Sequence, residues 1–167
     1  MKIVLVSLGI LLLLSGCGAQ PVMETVADEW QVPVMAEPKQ IWVELPEDAA
    51  MQTFGAQDGS KLYVCGELTV CLQTLPAGDL DRTLRAATGY GKEQVALMQW
   101  GNACECAWTA AGEGGMQVGR TRILERDGYH YAVSVMAPEN SRQQETIRLI
   151  LDSMVLVEPD FQINTGS

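Results

Sequence analysis

Along residues 41–158 apolar and polar positions alternate mostly at period two and in two stretches at helical spacing, which predicts many short strands and two helices. Ile41-Trp42-Val43-Glu44-Leu45-Pro46 reads as a strand that proline stops. Glu47 to Met51 fits a turn of helix and Thr53 to Ala56 a second strand, followed by the turn residues Gln57-Asp58-Gly59-Ser60. Lys61 to Cys65 and Leu68 to Leu75 flank Gly66-Glu67 as a hairpin. Pro76-Ala77-Gly78 breaks the strand and Asp79 is a good N-cap. Leu80, Leu84 and Ala87 then form one stripe of a helix that Gly89 ends.

In the second half, Val95 to Trp100 and Ala103 to Ala110 flank Gly101-Asn102, again a two-residue turn. Gly112 to Gly115 matches neither a dinucleotide fingerprint nor a phosphate loop and reads as a connector. Met116 to Arg126 and Tyr129 to Ala137 meet at Asp127-Gly128, which suits a type I′ turn. Ser141 and Gln144 are spaced as a capping box, and Ile147, Ile150, Leu151 and Met154 give a helical apolar face. Met154 to Val157 fits a last short strand before a polar tail at 159–167. Strands, helix, strands, helix, with hairpins throughout, imply an α+β class: an antiparallel β-sheet with two main helices.

Residues 1–40 follow another pattern. Lys2 precedes an apolar run from Ile3 to Leu14, interrupted by Ser7 and Gly9. At about a dozen residues it falls short of the ~20 that a membrane-spanning helix needs, and it reads as the core of a signal peptide over 1–16. The ending Leu14-Ser15-Gly16-Cys17 resembles the lipobox of bacterial lipoproteins. That resemblance implies cleavage before Cys17, a diacylglyceryl group on its sulfur and further acylation, palmitate being a typical chain. It places the protein at the cell membrane, facing outside the cytoplasm. Each buried lipid CH₂ contributes roughly 0.8 kcal/mol, and anchoring becomes stable when two chains act together. Residues 17–40, with Pro21, Pro33, Pro38 and acidic side chains, read as a flexible tether.

Charge narrows the partners. The 167 residues carry 11 basic and 21 acidic side chains, a formal net charge of −10. Losing Lys2 with the signal peptide makes the balance about −11. Such a chain has nothing to attract a phosphate backbone, so nucleic acid is excluded as a partner, and the acyl chains on Cys17 do the anchoring. About 150 residues remain after cleavage, enough for one domain over 41–158.

Two strings carry a second resemblance: Ile41-Trp42-Val43-Glu44-Leu45-Pro46, and the hairpin Arg122 to Ala137 with the helix that ends Leu149-Ile150-Leu151-Asp152-Ser153-Met154. Together they resemble the PsbP-like α-β-α sandwich, found also among small exported bacterial lipoproteins of the DcrB type. The resemblance implies a fold over roughly 41 to 158 and a binding or assembly role. It brings no catalytic motif.

Candidate chemistry is sparse. Besides Cys17 there are Cys65, Cys71, Cys104 and Cys106, an even number that in an exported chain suggests disulfides. The Gly66-Glu67 register puts Cys65 and Cys71 on opposite faces. Cys104 and Cys106, two apart on one strand, sit at the long edge of disulfide reach. A cross-link between the two hairpins and free buried thiols both remain open. The spacings lack the knuckle of a zinc site and the Cys-x-x-Cys of a redox pair, so no metal and no cofactor is expected. His130 faces Glu125 across the Asp127-Gly128 hairpin. A small thiol-dependent or hydrolytic enzyme using Cys104 or Cys106 with His130 is the alternative to a non-catalytic module.

The same register sets Arg120, Arg122 and Arg126 on one face with Tyr129 and Tyr131. This is a candidate patch for a small anionic ligand or a protein partner; a solvated strand face is the plainer reading. Trp42, Trp100 and Trp108 read as core. No residue constellation specifies a reaction, so the expected role is a membrane-anchored binding or assembly module.

Overall fold

A computed structural model describes residues 36–52, 59–112 and 115–159. The expected signal peptide, Cys17, most of the expected tether, the strand expected at Thr53 to Ala56 and the C-terminal residues from 160 lie outside them.

The elements run β1 (Gln40–Trp42), β2 (Ala50–Gln52), β3 (Ser60–Cys65), β4 (Leu68–Pro76), α1 (Leu80–Thr88) and a single 3₁₀ turn (Lys92–Gln94). They continue β5 (Ala96–Trp100), β6 (Ala103–Gly112), β7 (Gly115–Arg126), β8 (Tyr129–Pro138), α2 (Gln144–Asp152) and β9 (Val155–Val157). Seven strands form one antiparallel sheet in the order β2-β3-β4-β8-β7-β6-β5, and β1 pairs with β9 apart from it. The fold is therefore α+β, mainly antiparallel sheet with two helices.

Turn chemistry sets the register. Asp127 and Gly128 both adopt positive φ, 52° and 82°, as a type I′ turn requires, and Arg126 pairs with Tyr129 on either side of it. Gly66 and Gly101 close the other two tight hairpins. Asp79 caps α1 by accepting from the Asp81 N–H at 3.1 Å, and Gly89 ends it in the left-handed region.

Two local expectations fail where tertiary pairing outweighs them. Glu47 and Asp48 sit in a turn closed by Ala49 N–H to Pro46 O, and Ala50–Gln52 pairs with β3 instead of continuing a helix. Ser141 does not cap α2. Its N–H bonds Pro138 O and its hydroxyl accepts from Gln143 N–H, so it belongs to the turn leaving β8, and Gln143 takes the cap position.

Alternation along β8 sorts the sheet into two buried faces. Tyr131, Val133 and Val135 join Val70 and Leu72 of β4 under Ile147, Ile150 and Leu151 of α2. Ala132 joins Ile123, Cys104, Cys106 and Trp108 under Leu84 of α1. Each aliphatic side chain fully buried this way contributes about 1.5–3 kcal/mol.

The α1 face also holds a polar chain. Trp108 Nε1 donates to Thr121 Oγ1 at 3.0 Å, Thr121 and Ser134 hydroxyls lie 2.9 Å apart, and Ser134 donates to Ala87 O of α1. Because its members satisfy one another, this chain fixes how α1 docks without leaving an orphan.

Candidate functional site

The β1–β9 pair packs on the α2 face, where Ile41 and Leu156 join the core around Leu72 and Val133. Between this pair and the β3–β4 hairpin lie two adjoining hollows of about 380 Å³ and 230 Å³. Both are lined by Gln40, Ile41, Lys61 and Leu72, so they form one cleft with Lys61 at its centre. Tyr129 and Thr74 line one end; Trp42, Leu45 and Tyr63 line the other. The size falls in the ordinary range for small-ligand sites; the larger hollow exposes mainly apolar surface and the smaller one mainly polar surface.

Charge within the cleft is uneven. Lys39 is already matched: its ammonium bonds Glu158 and lies 3.7 Å from Asp127, and its backbone N–H donates to Tyr131 Oη at 2.9 Å. The Glu158 bond raises the Lys39 pKa above the ordinary lysine value. Lys61, exposed on β3, has no ion-pair partner among the described residues. The cleft thus offers, among the described residues, one ammonium without an ion-pair partner at its centre and the exposed Glu37 carboxylate at the Tyr129 end, which suits a ligand with a flat or apolar body and one anionic group held at Lys61, away from Glu37.

The predicted arginine–tyrosine patch does not form a surface. The pairing is as expected, with Arg120, Arg122, Leu124 and Arg126 opposite Val135, Val133, Tyr131 and Tyr129. But α2 and β1–β9 cover that face, and Tyr131 is fully buried in the core. Arg122 is consumed structurally. It bonds Glu105 at 2.9 Å and 3.2 Å, Leu151 O at 2.6 Å and Asp152 at 2.8 Å. Arg120 leans on Glu105 at 3.5 Å and Arg126 on Asp127 at 3.8 Å. Two members still reach ligand-sized space, but not the same one: Tyr129 is a wall of the cleft, and Arg120 lines a separate hollow of about 490 Å³ beside Trp108 and the start of α2. Sequence spacing carried the register correctly but held no signal for the helix that lands on it.

All four cysteines among the described residues are free thiols. The observed pairing of Leu62 with Cys71 and Cys65 with Leu68 puts Cys65 on the α2 face and Cys71 on the other. Cys71 stands in one row with Ser134, Thr121 and Cys106. Two strands separate them, so Cys71 and Cys106 lie about 14 Å apart at ~4.8 Å per strand, far beyond disulfide reach. Of the two readings left open by the spacing, sheet order disfavours a cross-link between the hairpins and the thiols stand free. Burial pushes these thiols up, Cys106 to about 11, which disfavours the thiolate a nucleophile needs.

Cys104 and His130 do line one small hollow of about 180 Å³. The imidazole is nevertheless committed elsewhere. His130 Nδ1 lies 2.6 Å from Thr83 Oγ1 and Nε2 is 3.6 Å from Glu125. With Nδ1 held by Thr83, Nε2 facing Glu125, and the Cys104 thiol pushed up by burial, the geometry does not favour the thiol-enzyme alternative. No cluster of ligating side chains suited to a metal is present among the described residues.

Lys61, Tyr63 and Ile41 went unremarked in the sequence. Lys61 and Tyr63 are two apart on one strand and so share a face, but nothing local shows that the last strand, more than ninety residues on, brings β1 across them. Trp100, expected in the core, is 46% exposed on β5, whereas Trp108 is buried.

No protein-family model matches the chain, and no curated protein matches it. Among solved structures, a protein from Bacteroides thetaiotaomicron aligns at 13% identity and TM-score 0.50, over 74% of this chain and 47% of its own. This chain therefore spans about half of that protein's length. A Mog1 variant aligns at 11% identity and TM-score 0.47, over 71% of this chain and 92% of its own. LpqN of Mycobacterium tuberculosis, described as involved in cell envelope biogenesis, aligns at 12% identity and TM-score 0.39, over 72% of this chain and 86% of its own. The first of these likenesses is one of fold alone. No helix among the described residues is long and apolar enough to cross a membrane.

Proposed function

We propose that this chain is a lipid-anchored extracytoplasmic lipoprotein whose single domain, of the PsbP-like sandwich type, is a non-catalytic binding module. The cleft centred on Lys61 carries the binding reading. The address rests on the lipobox resemblance at Leu14 to Cys17, with acyl chains on Cys17 holding the domain at the membrane. A proline-bearing tether suits that arrangement, since it lets the domain stand clear of the bilayer.

The ligand class follows from the cleft's chemistry: a small amphiphile with an aromatic or aliphatic body and one anionic group placed near Lys61. Anilinonaphthalene sulfonate, an aromatic body with one sulfonate, is a suitable probe. Its fluorescence should rise saturably with the native chain at one site, and Lys61→Met should weaken that binding about tenfold, the loss of one charge-assisted contact. Binding that is unsaturable, or equal in the two proteins, removes the cleft as the site. The anchor is tested separately: labelled palmitate should enter the wild-type chain but not Cys17→Ser, which should leave the membrane fraction.

A further inference from the structure

The main sheet ends in β5, and this edge is unlike a guarded one. Natural edge strands carry charges, prolines or bulges that stop a second strand from adding. From Gln94 to Ala103 the chain has no charge and no proline, although its net charge is −10. Met98 is 63% exposed and Trp100 46% exposed on the same face of β5.

The pairing of β5 with β6 fixes which backbone groups are spare. Trp100 and Ala103 flank the two-residue turn, so they are a hydrogen-bonded pair, as are Met98 with Glu105 and Ala96 with Ala107 by alternation. Leu97 and Gln99 therefore turn their N–H and C=O groups to an edge that no strand among the described residues covers.

We propose that β5 is a homodimer interface, pairing antiparallel with β5 of a second copy about a two-fold axis at Met98. Three features select that occupant. First, the register sets Leu97 against Gln99 of the other copy twice, which uses every outward backbone group of both residues in four hydrogen bonds. Second, on the exposed face it sets Trp100 over Ala96 and Met98 against Met98, so the largest side chain meets the smallest. Third, the strand carries no charge. A basic or acidic peptide would find no opposite charge on it, while two copies of an acidic chain can approach there without placing like charges opposite each other. A five-residue strand pair is far smaller than a standard interface of about 800 Å² per partner, so the dimer is weak in dilute solution and favoured where copies are concentrated.

Cross-linking in membranes from cells making the full chain tests this. Met98→Cys places two thiols across the axis at a non-hydrogen-bonded position, where the Cα atoms of facing residues lie about 4.5 Å apart and a disulfide can close. Under mild oxidation most of that variant should run at twice its mass on a non-reducing gel and return to monomer with reductant. Met51→Cys, 59% exposed on the opposite edge strand β2, should cross-link at least tenfold less. Adding Leu97→Pro to Met98→Cys should abolish the product. That proline removes an outward N–H and leaves the bonds to β6 in place, and the control Leu97→Ala with Met98→Cys, which loses the same half-buried side chain but keeps the N–H, should still cross-link. No dimer from Met98→Cys, an equal yield from Met51→Cys, or a product that survives Leu97→Pro each overturns the proposal.

Discussion

Replacing Arg122 by methionine should unfold the domain's centre more readily than any other single charge removal, because this guanidinium ties three elements together. It links β7 to Glu105 of β6 and to the end of α2, through the Leu151 carbonyl and the Asp152 carboxylate. The Asp152 arm contributes little, since that carboxylate is 45% exposed and screened by water. The Leu151 contact, from a charged donor to a carbonyl at a helix C-terminus, is worth about 1.5–3 kcal/mol. Glu105 is only 13% exposed and would keep one cation, Arg120 at 3.5 Å. That remaining contact holds its loss to the lower part of the 3–5 kcal/mol seen when a buried pair is broken.

These contributions overlap, and the net expectation is about 3 kcal/mol, or a melting point lowered by about 10 °C in a domain of this size. Denaturant unfolding of the full chain, followed by tryptophan fluorescence, measures it. Replacing Glu105 by methionine as well should recover part of the loss, since no unpaired carboxylate then stays buried. The acid side adds a sign. The Arg122 bond holds the Asp152 carboxyl below its ordinary value. Its stabilisation is thus present in full above the unfolded carboxylate pKa and disappears as pH falls through the folded one, so the deficit of Arg122→Met should shrink in acid. A loss under about 1 kcal/mol, or a double variant less stable than Arg122→Met, would refute the assignment of Arg122 to structure.

Gly119→Ala should destabilise by at least about 1–3 kcal/mol, because an added Cβ would stand 2.2 Å from the Trp108 indole and break its bond to Thr121; a near-neutral melting curve would contradict that packing. Thr83→Val should cost about 1–3 kcal/mol by leaving the buried His130 Nδ1 without its partner, and Thr83→Ser should restore most of it in the same assay. Alkylation without reductant should modify Cys65, Cys71, Cys104 and Cys106 only once the chain is unfolded, apart from slow reaction at the half-buried Cys71; mass spectrometry showing fewer than four modified sites besides Cys17 would contradict free thiols.

What could be read from the residues was local. Asp127-Gly128 specifies its turn because only a few residues tolerate two successive positive φ values, and one correct turn fixes the register of about ten residue pairs on either side. Asp79 and Gly89 bound α1 for the same kind of reason. The arginine–tyrosine patch shows where this stops. Register says which residues share a face, but whether that face meets water depends on α2, which returns from twenty residues further along the chain. The sheet order likewise decided the cysteines: hairpin spacing left a cross-link between β4 and β6 open, and the insertion of β8 and β7 between them closed it.

The same sheet order explains why the two candidate contact regions lie where they do. Helices occupy both faces over the middle of β4, β8 and β7, so the side chains these strands still expose are confined largely to strand ends, such as Met116, Glu125 and Arg126 of β7. The two proposed contact regions lie toward the flanks, the Lys61 cleft beside β3, second in the sheet, and the outer strand β5 at its other end. At ~4.8 Å per strand the five steps from β3 to β5 separate them by about 24 Å, well past the distance at which substitutions couple directly. A rigid, fully paired centre held by Arg122 therefore leaves each flank free to act without the other. The proposed ligand binding at Lys61 and the proposed strand pairing at Met98 should thus respond separately, Lys61→Met leaving the Met98→Cys cross-link unchanged.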